Sequence, residues 1–133
     1  MSWLLDTNAC IDLMKLREPI ASRVRAAGPA EFAVSTITCA ALWYGAVNSQ
    51  RPQRNRADQN AFLEPFRIVE FDVPAADRYA VVRGHLTRMG RPIGDRDLMI
   101  AAIALAHRMG VITRNTGELS RVPNLKVEDW TAG

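Results

Sequence analysis

Three acidic residues stand at points of this chain where a ligand could be bound. Asp6 follows the apolar run "WLL", and Glu118 comes shortly after the apolar run "VIT". Asp97 has Ile100 and Ala101 three and four residues further on, so its carboxylate begins an apolar helix face. A carboxylate that faces inward is costly unless it is paired or bound to a cation. These acids are therefore the first candidates for chemistry.

Carboxylates that meet in one place suit a hard divalent cation. They repel one another, and a bound cation is the usual way to hold them ionised. Mg²⁺ binds through one or two carboxylates and takes its other ligands from water and substrate phosphates. A second cation could stabilise the attacking and leaving oxygens of phosphodiester hydrolysis. The residues also allow a structural interpretation, in which Asp95 caps a helix and Asp97 is a second acid of the same turn.

The elements that would position these acids alternate along the chain. Apolar runs predict five short strands, namely "WLLD" (3–6), "AVST" (33–36), "RIVEF" (67–71), "VIT" (111–113) and "LKV" (125–127). Strands that alternate with helical patterns predict an α/β fold, with a central parallel sheet of four to five strands flanked by helices on both faces. In such sheets ligands bind outside the carboxyl ends of the strands, where the acids stand.

The helical patterns carry recognisable start and stop signals. One pattern runs over 11–28 and ends at Gly28, a residue suited to a helix C-terminus. Thr38 is the predicted N-cap of the next helix. The clearest helix has Asp95 as its cap and Gly110 as its stop.

Composition sets the class of protein. The 133 residues predict one domain over 1–133, and 48% apolar and 23% charged residues are ordinary for a globular protein. No apolar run is long enough to span a membrane, and the charged residue at position 6 argues against a signal peptide. Cys10 and Cys39 form no metal or CxxC pattern, which favours buried thiols in a cytoplasmic protein.

The basic residues are almost all arginine. Of 17 Lys and Arg, only Lys15 and Lys126 are lysine, and the net charge is +3. Arginine pairs bidentately with phosphate and carboxylate, so this bias suits a nucleic-acid or acidic-peptide partner. A GC-rich genome that favours Arg codons explains it equally well.

Five ordered motifs carry a resemblance to a known family. They are "LLDTNACID", "STITCAALWYGA", "PIGDRDLMIAAIALA", "VITRNTGEL" and "RVPNLKVEDW". In order and spacing the chain resembles PIN-domain proteins, and more closely the VapC toxins of bacterial VapBC toxin–antitoxin modules. The resemblance implies an endoribonuclease dependent on Mg²⁺ or Mn²⁺ that cuts structured RNA, in one branch the anticodon stem-loop of initiator tRNA. It also implies a homodimer neutralised by a VapB antitoxin, with operator DNA bound only through that antitoxin.

The same resemblance assigns roles to residues. It implies that Asp6 and Asp97 bind the metal, and that Glu118 or the position of Asn115 takes a further acidic role. The auxiliary polar groups that it implies are Thr7, Asn8, Asp95, Thr113 and Asn115.

One position departs from the family pattern. VapC-like sequences read roughly S-x-I-T-x-x-E-L-x-Y-G, and here Ala41 stands where the Glu is expected. No carboxylate between Glu31 and Asp58 can replace it. We therefore expect weaker metal binding and impaired catalysis. The substitution fits a deliberate inactivation, a natural homologue without activity, or an enzyme that works with the remaining acids.

Two other classes of function compete with the ribonuclease. A PIN-fold module could bind its antitoxin without cutting RNA. A phosphate-transferring α/β protein with Asp6 as nucleophile is less favoured, because "DTN" lacks the second Asp of haloacid-dehalogenase-like phosphatases. The basic run "RPQRNR" (51–56) suits either phosphate contacts or a solvated helix end.

Overall fold

Five short parallel strands form the centre of the molecule. The computed structural model describes residues 2–132. The strands are β1 (Trp3–Leu5), β2 (Phe32–Ser35), β3 (Arg67–Val69), β4 (Gly110–Ile112) and β5 (Val127–Glu128). They lie in the order β3-β2-β1-β4-β5, and every neighbouring pair is parallel. This is the predicted parallel sheet, with the larger of the two predicted strand numbers.

Seven α-helices lie between the strands of the described chain. They are α1 (Thr7–Met14), α2 (Ile20–Ala27), α3 (Thr36–Val47), α4 (Pro52–Leu63), α5 (Val73–Arg88), α6 (Asp95–Ala106) and α7 (Thr116–Leu119), with a 3₁₀ turn at Pro29–Glu31. The predicted α/β class is confirmed.

The sheet is buried on both faces because successive strand residues point in opposite directions. On one face Leu5 packs in a cluster with residues of α1, α2, α3 and α4. On the other face Leu4 packs in a cluster with residues of α5 and α6. Leu4 and Leu5 both have 0% exposure. The near-continuous apolar character of the strands follows from this double burial.

The helical pattern predicted over 11–28 is two helices, so that prediction was wrong. Helix α1 ends at Met14 and α2 begins at Ile20, with Leu16 in the left-handed region at φ 55°. The break precedes Pro19, because a residue before proline is pushed out of the helical conformation and proline has no N–H to donate. Gly28 does end α2, as predicted, with φ 87°.

Both predicted N-caps differ from the observed ones, by three residues in α3 and by one residue in α6. Ser35 caps α3, since its Oγ accepts a hydrogen bond from the Thr38 N–H at 3.1 Å, and Thr38 itself lies inside the helix. Gly94 is the N-cap of α6, and Asp95 is the first helical residue. A serine and a threonine three residues apart offer the same cap chemistry, and only the tertiary fold selects between them.

Gly110 does not stop a helix, because α6 ends at Ala106 and Gly110 begins β4. A Cβ at position 110 would lie 2.5 Å from a ring carbon of Trp3 on the neighbouring strand. Glycine is needed there because the indole of Trp3 covers the backbone.

No helix of the described residues is long and apolar enough to cross a membrane. Cys10 and Cys39 are free and buried, as predicted.

Candidate metal centre at the carboxyl edge of the sheet

The candidate site lies where the strand order changes direction. Strand β1 sits between β2 and β4, and Leu5 is in register with Val34 and with Ile112. The next residue of each strand therefore emerges at the same edge. From β1 and β4 these residues are Asp6 and Thr113. In open α/β sheets this crevice is the place where ligands bind.

Asp6 is buried and held by three donors. It is 4% exposed and caps α1. Its Oδ1 accepts from the Thr7 N–H at 2.7 Å, and its Oδ2 accepts from the Thr113 hydroxyl at 2.8 Å and from the Asn8 amide at 3.3 Å. These bonds fix the orientation of the carboxylate.

The residues around Asp6 are themselves held in place. The Asn8 amide nitrogen also donates to Thr113 Oγ1 at 3.2 Å, while the Arg114 N–H donates to Asn8 Oδ1 at 2.9 Å. Thr113 Oγ1 in turn accepts from the Asn115 N–H at 2.9 Å. The predicted auxiliary residues Thr7, Asn8 and Thr113 therefore all contact Asp6 directly.

Asn115 joins the two other predicted acids. Its side-chain amide donates to Asp97 Oδ2 at 2.8 Å and to Glu118 Oε2 at 3.3 Å. Asp97 comes from the first turn of α6, and Glu118 comes from the short helix α7. Asn115 thus has a role that it can fill without being an acid: it holds two carboxylates side by side.

The pKa of Asp97 shows how closely the acids converge. Burial raises this pKa to about 6, helped by a hydrogen bond with Glu118 and by the negative charges of Asp6 and Glu118. The hydrogen bond from Asn115 acts in the opposite direction. Asp6 and Glu118 therefore lie close enough to Asp97 for their negative charges to act on it.

Asp95 lies outside this cluster. Its side chain is 69% exposed, and its Oδ1 accepts from the Tyr79 hydroxyl at 3.0 Å and lies 3.8 Å from Arg83 Nη1. Both partners belong to α5. The hydrogen bonds of Asp95 link α6 to α5 and do not orient the other carboxylates.

Ala41 borders the site from α3. The hydroxyls of Thr7 and Thr38 lie 3.2 Å apart, and Ala41 is one turn beyond Thr38 on the same helix face. A cavity of about 370 Å³ is lined by both Thr7 and Ala41. A longer side chain at position 41 therefore has open space beside the residue that follows Asp6.

A buried ion cluster next to the site was missed by the sequence analysis. Asp12 has 0% exposure, with Arg17 Nη1 3.0 Å from its Oδ1 and Arg114 Nε 2.9 Å from its Oδ2. Arg114 follows Thr113, so Asp12 fixes an arginine at the edge of the candidate site. A lone Asp between the apolar residues of α1, with an Arg five residues later, is the signal that could have revealed it.

The donor set suits a divalent cation that is held by few protein ligands. Within residues 2–132, no group of three or more His, Cys, Asp and Glu side chains is arranged to hold a metal ion. Asp6 and Asp97 do supply two carboxylates, which is the number through which Mg²⁺ commonly binds. The uncompensated negative charge around Asp97 fits such an ion.

The basic run at 51–56 has mixed surroundings. Arg51 and Arg54 are exposed, whereas the guanidinium of Arg56 lies 3.9 Å from the centre of the Trp43 ring. Arg56 therefore packs on the surface of α3, and the others are free to meet a partner.

Comparison with known proteins gives the family. The PIN domain model matches residues 3–125. The tRNA(fMet)-specific endonuclease VapC of Shigella flexneri is 36% identical over 132 residues, which cover 98% of this chain and 99% of that protein. The ribonuclease VapC2 of Rickettsia felis is 32% identical over 132 residues, covering 98% of each.

Solved structures agree with these relatives. DNA-bound VapBC from Salmonella typhimurium matches with a TM-score of 0.92 and 35% identity over 98% of each chain. VapBC2 from Rickettsia felis, bound to a DNA fragment from its promoter, matches with a TM-score of 0.90 and 31% identity over 98% of this chain and 99% of that one. PIN-domain nucleases are generally metal-dependent. The chain therefore belongs to the PIN-domain family and, within it, to the VapC group of VapBC toxin–antitoxin modules.

Proposed function

We propose that this chain is the toxin of a VapBC module, an Mg²⁺-dependent endoribonuclease whose activity is impaired by Ala41. Mn²⁺ is expected to substitute for Mg²⁺. The observation that carries the proposal is the meeting of Asp6, Asp97 and Glu118 at the carboxyl edge of the sheet, in a chain of the VapC group.

Different side chains have different proposed roles at this site. Asp6 and Asp97 would hold the cation, which when bound would supply Lewis-acid stabilisation of the phosphate oxygens. Thr113, Thr7 and Asn8 keep the Asp6 carboxylate in one orientation through the bonds described above. Ligand orientation of this kind is worth about 10–100-fold in metal affinity or activity.

We propose that Glu118 is the carboxylate that handles a proton. It lies beside Asp97, is half-buried, and is held by Asn115 through Oε2. A carboxylate in hydrogen-bond reach of the attacking water can accept its proton as the phosphodiester bond is broken.

Ala41 is the expected cause of the impairment. It stands where the family pattern has Glu, next to the cavity that it shares with Thr7. With an alanine there, the site has one carboxylate fewer to bind metal and to position water. The substitution favours α3 itself, since alanine is the best helix former.

The proposed substrate is tRNA in the cytoplasm, with the anticodon stem-loop of initiator tRNA as the specific target. Support comes from the Shigella flexneri relative, which is a tRNA(fMet)-specific endonuclease. The excess of arginine over lysine suits a polyanionic substrate.

The proposed partners are a VapB-type antitoxin and a second copy of this chain. The structural relatives are VapBC complexes, two of them bound to DNA, and operator DNA would be reached only through the antitoxin. Tyr44 and Val47, which are 68% and 69% exposed on α3, offer an apolar surface for the homodimer.

Cleavage assays on three forms of the protein test the proposal. Ala41→Glu is expected to cut tRNA in the presence of Mg²⁺, while the parent chain and Ala41→Gln cut it weakly or not at all. The Gln variant fills the same cavity without adding a charge, so it separates metal binding from packing. Strong cleavage by the parent would show that position 41 is dispensable, and EDTA-resistant cleavage by Ala41→Glu would contradict the metal site.

A binding module is the second candidate function. It is favoured by Ala41, which leaves the site one carboxylate short of the family pattern. If neither the parent nor Ala41→Glu cuts RNA while both bind a VapB-type antitoxin, this second function is the correct one.

A further inference from the structure

A basic groove lies at the edge of the sheet opposite the candidate metal centre. Its volume is about 700 Å³, and it is lined by α5, the end of α6 and the segments that lead into β4 and β5. Met109 precedes β4 and Lys126 precedes β5, which places the groove at the amino ends of these strands. The acids of the metal centre follow the carboxyl ends, so the two sites are separate.

The charge of the groove is of one sign. Arg78, Arg88, Arg108 and Lys126 line it together with His85, and no Asp or Glu of residues 2–132 is among the lining residues. Lys126 has one acidic neighbour, Glu128, with Nζ 3.5 Å from Oε2. Among the described ion pairs, none involves the three arginines. Their charges are therefore available to an anionic ligand.

The groove residues of α5 are spaced along a line. Arg78, His85 and Arg88 are separated by seven and three residues on α5, so they share one helix face. Arg78 and Arg88 are about 15 Å apart along the helix axis, at about 1.5 Å per residue. One strand of a nucleic-acid duplex carries a charge about every 3.4 Å, so this face spans several successive phosphates.

Arg108 occupies a backbone position that ordinarily favours glycine. It follows the C-cap of α6 and has φ 57°, and its neighbour in the groove, Asn124, has φ 66°. The Met109 N–H bonds back to the Ala104 carbonyl at 2.8 Å, which is the bond of a helix end that usually has glycine at this point. A left-handed arginine is unfavourable for the fold. Backbone strain of this kind collects at functional sites, and Arg108 is among the residues that line the groove.

Part of the groove lining is apolar. Val82, Leu105 and Met109 are among the lining residues, and Val82 and Met109 are buried. Such a surface does not compete for the arginines, and it can contact the sugar edge of a bound strand while the phosphates meet the cations.

We propose that this groove binds the phosphodiester backbone of the RNA substrate at a distance from the cut. The inference rests on the proposed RNA substrate and adds a second contact surface to it. Phosphate contacts position a nucleic acid without reading its sequence, so the groove contributes affinity and register rather than base specificity.

Binding of intact tRNA to the Ala41 chain tests this directly, because binding can be followed without cleavage. Arg88→Gln and Arg108→Gly are each expected to weaken binding several-fold at about 0.1 M salt and to lower the salt slope by about one unit. Arg25→Gln is the matched control, since Arg25 is exposed on α2 and lies outside the groove. It should leave both quantities unchanged.

Arg108→Gly adds a second readout. This variant removes the charge and also relieves the left-handed arginine, so its melting temperature should rise while its RNA affinity falls. If the variant lost affinity because it unfolds, its melting temperature and its RNA affinity would both fall. A raised melting temperature with unchanged affinity and salt slope would overturn the proposal.

Two competitors distinguish other ligands. Displacement of RNA by millimolar mononucleotide from the parent, but not from Arg108→Gly, would mean a small nucleotide site and would overturn the backbone proposal. Binding of polyglutamate that responds to the groove variants while RNA binding does not would assign the groove to an acidic protein.

The groove proposal and the proposed ribonuclease function can fail independently of each other. If Ala41→Glu cuts tRNA while the groove variants leave binding unchanged, the groove proposal fails and the ribonuclease stands. If Ala41→Glu cuts nothing while the variants lower RNA affinity and salt slope, the ribonuclease fails and the groove stands.

Discussion

At the scale of single residues, the candidate site is organised by hydrogen bonds to carboxylates. Asp6 receives three, and Asn115 divides its amide between Asp97 and Glu118. The hydrogen bond from Asn115 does not offset the cost of burying Asp97, whose pKa is raised to about 6 mainly by burial. In the metal-free protein an ionised Asp97 therefore opposes folding.

Replacing Asp97 should stabilise the metal-free protein at neutral pH. A folded-state pKa above the unfolded value means that the folded protein loses stability as pH rises from about 4 to about 6, and the penalty remains above that range. A shift of two units corresponds to about 3 kcal/mol, which solvent screening of a half-buried group reduces to about 1 kcal/mol. Urea denaturation in EDTA should show Asp97→Asn more stable than the parent at pH 7.5 and equal to it near pH 4.

Asp95→Asn is the matched control, because Asp95 is exposed and outside the cluster. It should alter stability little at either pH. A stability of Asp97→Asn equal to that of the parent at both pH values would show that the ionised Asp97 carboxylate does not oppose folding.

Thr113→Val tests how Asp6 is oriented. The valine keeps the shape but removes the hydroxyl that donates to Asp6 and accepts from the Asn115 N–H. In the Ala41→Glu background we expect the affinity for Mg²⁺ to fall about 10–100-fold, so that the Mg²⁺ concentration for half-maximal cleavage rises by the same factor. Thr131→Val, at a position whose hydroxyl donates to Asp129 and to no carboxylate of the candidate site, should leave that concentration unchanged. The same Mg²⁺ response in both variants would remove Thr113 from the site.

At the scale of elements, a glycine in strand β4 and a glycine in helix α3 have opposite effects on stability. Gly110 lies under the Trp3 indole, whereas an added Cβ at Gly45 in α3 would meet no atom within 4 Å apart from its chain neighbours and the nearby backbone of its own helix. The first is required by packing, and the second is a weak point of a helix.

Alanine substitution should therefore change stability in opposite directions at these two positions. Gly110→Ala should destabilise by about 1–3 kcal/mol, because the Trp3 ring has to move. Gly45→Ala should stabilise by up to about 1 kcal/mol through helix propensity. Denaturant midpoints measure both. A neutral Gly110→Ala would mean that the ring has room to shift.

Strands β1, β2 and β4 were predictable from the sequence because each is a short apolar run that is buried throughout. The ends of helices were harder. Thr38 and Asp95 have suitable cap chemistry, but the chain turns into each helix slightly earlier. Helix α7 was not predicted, since four residues show no periodicity.

The convergence of the acids was predictable from topology, and their geometry was not. Parallel strands bring Asp6 and Thr113 to one edge wherever the strands lie. The bridging role of Asn115 depends on how α6 and α7 meet, which no pattern in the sequence encodes. The pairing of Asp12 with two arginines is likewise a long-range contact.

At the scale of the whole molecule, charge is separated across the sheet. The carboxylates gather at the carboxyl ends of the strands, and the basic groove lies at the amino ends. This polarity suits a polyanionic substrate that is cut at one edge and held at the other. Ala41 is the position at which we propose that the chain departs from its family pattern near the carboxylates.

We propose that RNA is cut at the carboxylate cluster and that position 41 controls this activity. The most direct measurement is the Mg²⁺-dependent rate of tRNA cleavage by Ala41→Glu and by Ala41→Glu combined with Asp97→Asn. We predict a large gain over the parent in the first and its complete loss in the second, with the fold of both intact by circular dichroism. Equal cleavage by the two variants would contradict the account, because it would place the chemistry away from Asp97.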